Sequence, residues 1–113
     1  MATILLISEN AASLEKVRIG LSISGHEVLL VRSDVELIEV ARTRRFDLAL
    51  IDLERAELAD LAREVSGKMV LFSGASADVT HHRVKQARAH GYVRKLGPER
   101  VREDLLRYIS AAQ

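Results

Sequence analysis

No cysteine occurs in this sequence, which removes disulfides, thiolate catalysis and Cys-based metal sites at once. Aromatic residues are scarce, at 4%, too few to stack a flavin. Neither sign of charge dominates: 17 basic residues face 16 acidic ones, for a net charge of +1. Nothing in that balance pulls the chain toward nucleic acid or an anionic membrane. Apolar runs extend no further than four or five residues, far short of a bilayer span. Met1-Ala2-Thr3 leads straight into an apolar run without a basic leader, so no signal peptide is expected and a cytoplasmic location is.

What is present is a regular alternation. The 113 residues suit one domain spanning 1–113, and the 48% that are apolar suffice for a proper core. Short apolar runs at Thr3–Ile7, Glu27–Val31, Asp47–Ile51, Lys68–Phe72 and around Tyr92-Val93 read as strands buried on both faces. Between them lie helical periods. The first runs from Asn10 to about Ser24, with Leu14, Val17 and Leu21 on one face, Asn10 as its cap and Gly25 as its end. Ser33-Asp34-Val35-Glu36 opens the second as a capping box. Arg42, Arg44 and Arg45 close it, complementing its C-terminal dipole. A short third helix carries Leu58, Leu61, Ala62 and Val65 and stops at Gly67. The fourth, from about Asp78 to Ala89, has a thin apolar face of Val79, Val84 and Ala87, and the fifth starts at Pro98 and buries Val101, Leu105, Tyr108 and Ile109. Five strands strictly alternating with five helices predict a doubly wound α/β fold, a parallel sheet in the order 2-1-3-4-5 covered on both faces.

Ligands of such sheets bind beyond the carboxyl ends of the strands. Those ends carry Ser8-Glu9, Asp52, Ser73-Gly74 and Lys95. Two carboxylates, a hydroxyl and an ammonium would therefore converge on one edge. Carboxylates with a backbone carbonyl and water can hold Mg²⁺, and a hydroxyl and a lysine can hold phosphoryl oxygens. Phosphoryl transfer needs little beyond such positioning and neutralisation, with Asp52 as the nucleophile that forms an acyl phosphate.

Four segments in order, Ile4-Leu5-Leu6-Ile7-Ser8-Glu9, Asp47 to Leu53, Val70-Leu71-Phe72-Ser73-Gly74 and Gly91-Tyr92-Val93-Arg94-Lys95, resemble the signature segments of response-regulator receiver domains. The likeness covers the whole chain, and the 22 positions from Ser73 to Lys95 keep the family's register. The resemblance implies a signalling module, not an enzyme, of the flavodoxin-like fold. It implies that Asp52 accepts a phosphoryl group from a sensor histidine kinase or a phosphotransfer protein. Glu9 would bind Mg²⁺ directly, together with Asp52 and the backbone carbonyl of Glu54. Ser73 would sense the phosphoryl group, Lys95 would pair with it, and Tyr92 would be the switch aromatic. The face made by the fourth helix, fifth strand and fifth helix would then meet a downstream protein or a second copy in a homodimer.

The sequence departs from that pattern at named positions. Ser8 stands where a second acid is usual, and Glu9 is one methylene longer than the commoner Asp. Ala56 replaces a proline, the stretch from Asp52 to Ser73 is short, and Lys95-Leu96 replaces Lys-Pro, so a trans bond is expected there. These departures keep a rival open: a pseudo-receiver that serves as a protein-interaction module without phosphorylation. A flavin-type binder is disfavoured, since no Gly-rich phosphate loop follows the first strand. His81-His82 points in two directions on a helix and reads as solvated surface rather than a metal site. No DNA-binding element is visible.

Overall fold

The computed structural model describes residues 1–112. In chain order the elements are β1 (Thr3–Ile7), α1 (Ala11–Ile23), β2 (Glu27–Val31), α2 (Asp34–Thr43), β3 (Phe46–Asp52), a 3₁₀ turn (Leu53–Leu58), α3 (Ala59–Val65), β4 (Ser66–Ser73), α4 (Ala77–Ala87), β5 (Gly91–Arg94) and α5 (Pro98–Ala112). The strands form one parallel sheet in the order β2-β1-β3-β4-β5, as the alternation predicts.

Alternate residues of each central strand feed two separate cores, which is why these strands are apolar throughout. Ile4, Leu6, Leu48, Leu50, Val70, Phe72 and Val93 face α1 and α5, meeting Leu14, Val17 and Leu21 from the first helix and Val101, Leu105 and Ile109 from the last. Leu5, Ile7, Ala49, Ile51, Met69 and Leu71 face the other way, onto Leu37 of α2 and Ala59, Ala62 and Val65 at α3. Each of the buried Leu, Ile, Val, Phe and Met side chains among them contributes about 1.5–3 kcal/mol. Truncating the fully buried Leu50 to Ala would remove about 2–5 kcal/mol.

Local signals explain most boundaries. Gly25, at φ 92°, takes the left-handed turn that ends α1. Ser33 Oγ accepts the Glu36 N–H at 3.2 Å and starts α2. Arg45 returns to the Ala41 and Arg44 carbonyls at the other end of α2, while Arg44 pairs with Glu27 and lies over the Phe46 ring. The Lys95–Leu96 bond is trans, as expected. Two local expectations are corrected. Gly67 does not stop the third helix; it lies inside β4, because Ser66 turns straight from helix to strand and its Oγ donates to the Ala62 carbonyl at 2.6 Å. Deleting that connection is how the short stretch from Asp52 to Ser73 still closes a crossover. In α4 the buried residue is Thr80, while Val79 is half exposed. Ser76 Oγ caps this helix on the Val79 N–H, which sets the phase that turns Thr80 inward. Among the described residues no helix is long and apolar enough to cross a membrane.

Candidate functional site

The strand register places Ile7 beside Ile51, Asp52 beside Phe72, and Ser73 beside Arg94, so the residues that follow β1, β3, β4 and β5 emerge at one edge. Asp52 ends β3 with its side chain 5% exposed. Burial of a carboxylate is tolerated only with partners, and it has several. Lys95 Nζ reaches both Oδ1 and Oδ2 at 3.1 Å, and Ser8 Oγ donates to Oδ2 at 3.1 Å. The Glu54 N–H donates to Oδ1 at 3.1 Å, so Asp52 also caps the 3₁₀ turn that follows it. Lys95 is itself fixed by its N–H to the Ser73 carbonyl at 2.9 Å, and its ammonium lies 5.4 Å from the centre of the Phe72 ring.

Ser73 is buried on the next strand, with its hydroxyl engaged by its own loop and by α4. Its hydroxyl shares a 2.8 Å hydrogen bond with Thr80 Oγ1 and accepts the Ala75 N–H at 3.1 Å. Thr80 was not expected in this neighbourhood; a threonine on the polar helix α4 carries no sequence signal of its own. Tyr92 is half-buried on β5, with the His81 ring edge-on at 5.5 Å. The Tyr92 N–H donates to the Tyr108 hydroxyl at 3.2 Å, and that hydroxyl contacts the Tyr92 carbonyl at 3.3 Å. Gly91 is required for this arrangement, because a Cβ there would collide with the Tyr108 hydroxyl and ring.

Glu9, Asp52 and Glu54 do gather, lining one cavity of about 370 Å³ together with Asn10 and Arg55. Arg55 was not anticipated. It interrupts the 3₁₀ turn at φ −114° and ψ 28°, and its Nη1 donates to Glu9 Oε1 at 2.8 Å across 46 positions of sequence. Its Nε stands 3.2 Å from Glu57 Oε1 but off the N–H axis, so this buried nitrogen forms no hydrogen bond.

Mg²⁺ asks for octahedral oxygen ligands, with carboxylates free to bind it. Here the Asp52 oxygens are taken by Lys95, Ser8 and the Glu54 amide, and the Glu9 carboxylate is held by a guanidinium. Ser8 supplies a neutral hydroxyl, already donating to Asp52 and accepting the Asn10 N–H at 3.2 Å, where a dication would be served by a carboxylate. Among the described residues no group of three His, Cys, Asp or Glu side chains is placed to hold a metal ion. The residues present therefore do not fit Mg²⁺ in this arrangement. His81 and His82 are exposed and belong to no such group.

No family model matches the sequence, and no curated protein matches it. Solved structures do. The chain is similar to a CheY-like response-regulator receiver domain protein from Methanospirillum hungatei, with a TM-score of 0.82 at 21% identity over 99% of this chain and 96% of that one. A response regulator from Thermotoga maritima gives 0.77 at 17% identity over 96% and 97% of the two chains. The chemotaxis response regulator CheY4 of Vibrio cholerae gives 0.74 at 18% identity over 96% and 98%.

Proposed function

We propose that this chain, which has the fold of response-regulator receiver domains, is a signalling receiver whose phosphoacceptor is Asp52. The observation that carries the reading is the buried Asp52 carboxylate with the Lys95 ammonium 3.1 Å from both of its oxygens, at the strand edge where such folds bind their ligands. In the transfer, an Asp52 oxygen attacks the phosphorus of a kinase or phosphotransfer-protein phosphohistidine. The P–N bond breaks, and the imidazole nitrogen keeps the bonding pair and takes a proton from water. Lys95 then faces phosphoryl oxygens in place of a bare carboxylate.

The readout follows from the Ser73–Thr80 bond. Ser73 exchanges Thr80 for a phosphoryl oxygen, which loosens α4 from β4 and frees Tyr92 to repack. The affected face includes the exposed Val79 and Leu96 and the His81–Tyr92 contact, a surface suited to a protein target. Phosphoramidate labelling followed by intact-protein mass measurement tests the reading. One phosphoryl adduct on the wild type, absent from Asp52→Asn, supports it. A second reading is favoured by Ser8 and by the Glu9–Arg55 pair: a pseudo-receiver that binds partners without phosphorylation. No adduct under any condition would select it.

A further inference from the structure

We propose that Arg55 takes the place of a divalent cation beside Asp52, supplying the fixed positive charge that phosphoryl acceptance requires and keeping metal ions out. The inference deepens the phosphoacceptor reading and rests on it for its second half.

Two fixed cations already serve the carboxylates here. Lys95, outside the cavity lining, meets Asp52, and Arg55, the cation within the lining, meets Glu9 and stands 3.2 Å from Glu57, while Glu54 keeps its exposed carboxylate in the lining. A dication needs several negative ligands, and the position closest to β1 has none to give: Ser8 is wholly buried and spends its hydroxyl hydrogen on Asp52. One carboxylate fewer and one guanidinium more is the change expected if a protein cation replaced a bound one. The side chain of Arg55 is only 20% exposed, unlike that of its partner Glu9 at 69%. The cation is therefore fixed within the cavity, and the anion it holds is the mobile member of the pair.

Guanidinium chemistry suits the substitution. A planar fork of N–H donors matches phosphoryl oxygens in pairs, and it stays charged at every physiological pH. When a phosphoryl group arrives at Asp52, Arg55 exchanges the Glu9 carboxylate for phosphoryl oxygens, and Glu9 returns to water with little loss. The buried Nε, which has no hydrogen-bond partner now, would acquire one from the same anion.

Two measurements on the full chain test this. In the first, Mn²⁺ is added to the ¹⁵N-labelled protein and amide broadening around Ser8, Asp52 and Glu54 is followed by NMR. The wild type should show no saturable broadening there, while Arg55→Gln should show it. In the second, phosphoramidate labelling is timed in EDTA and in Mg²⁺. Wild-type labelling should proceed at similar rates in both. Arg55→Gln should slow at least about tenfold in EDTA and recover with Mg²⁺, with Arg55→Lys in between. Saturable Mn²⁺ broadening at Asp52 in the wild type, or wild-type labelling that needs Mg²⁺, overturns the inference while leaving the phosphoacceptor intact. Failure to label in either buffer removes the phosphoacceptor reading, and the Mn²⁺ experiment alone then decides whether Arg55 excludes metal.

Discussion

On the β5 flank of Asp52, Lys95 holds both carboxylate oxygens at 3.1 Å, and the neighbouring Ser73–Thr80 pair is buried. On the β1 flank, an exposed Glu9 is tied to Arg55 by a 2.8 Å ion pair that bounds a water-accessible cavity. On the first flank the Asp52 carboxylate is buried while the Lys95 side chain is 34% exposed, so losing Lys95 strands Asp52 but not the reverse. On the second flank the anion, Glu9, stays in water, so its contact with Arg55 stabilises little and can be exchanged. The phosphoacceptor thus has one rigid wall and one replaceable wall, and the incoming group has reason to enter by the second.

The contrast can be broken most sharply at Lys95. Lys95→Met leaves Asp52 buried without its counter-ion and should destabilise by about 2 kcal/mol, read as a fall in the urea midpoint. The loss should shrink when Asp52→Asn is already present. Next comes Ser8→Asp, which sets a second carboxylate against Asp52. It should lower stability by about 1–2 kcal/mol in EDTA, and added Mg²⁺ should restore part of this in the thermal midpoint. Thr80→Val removes the partner of the Ser73 hydroxyl, and a loss of about 1 kcal/mol is expected. The same variant should label faster with phosphoramidate, since Ser73 is released in advance. Glu9→Gln should be the mildest, within about 0.5 kcal/mol and indistinguishable from wild type in high salt.

The rigid wall was also the legible one. Asp52 ends one apolar run and Lys95 stands just past the last strand, and a parallel sheet brings its strand ends to one edge, so the edge they share could be read from the alternation. The strand limits were readable for the same reason, to within two residues at each end. Arg55 lay outside that logic, because its place depends on how the 3₁₀ turn bends, and nothing in spacing links it to Glu9. Thr80 was hidden by the weak apolar pattern of α4, which suggested Val79 as the inward residue. Gly67 was misread because glycine commonly ends helices, whereas here it admits the Asp47 carbonyl, which an added Cβ would approach to 3.3 Å.

The Tyr108 hydroxyl, reaching β5 from α5, bears on how copies of this chain can meet. Strand β5 borders the sheet, and a border strand ordinarily offers its backbone as a template for any extended peptide. The N–H and C=O of Tyr92, at the middle of that border, are already engaged by a phenol from α5. Sheet growth across this side is therefore blocked by a side chain from within the same molecule. Whatever docks there must recognise it through surface groups, leaving the barrier against fibrillar stacking in place.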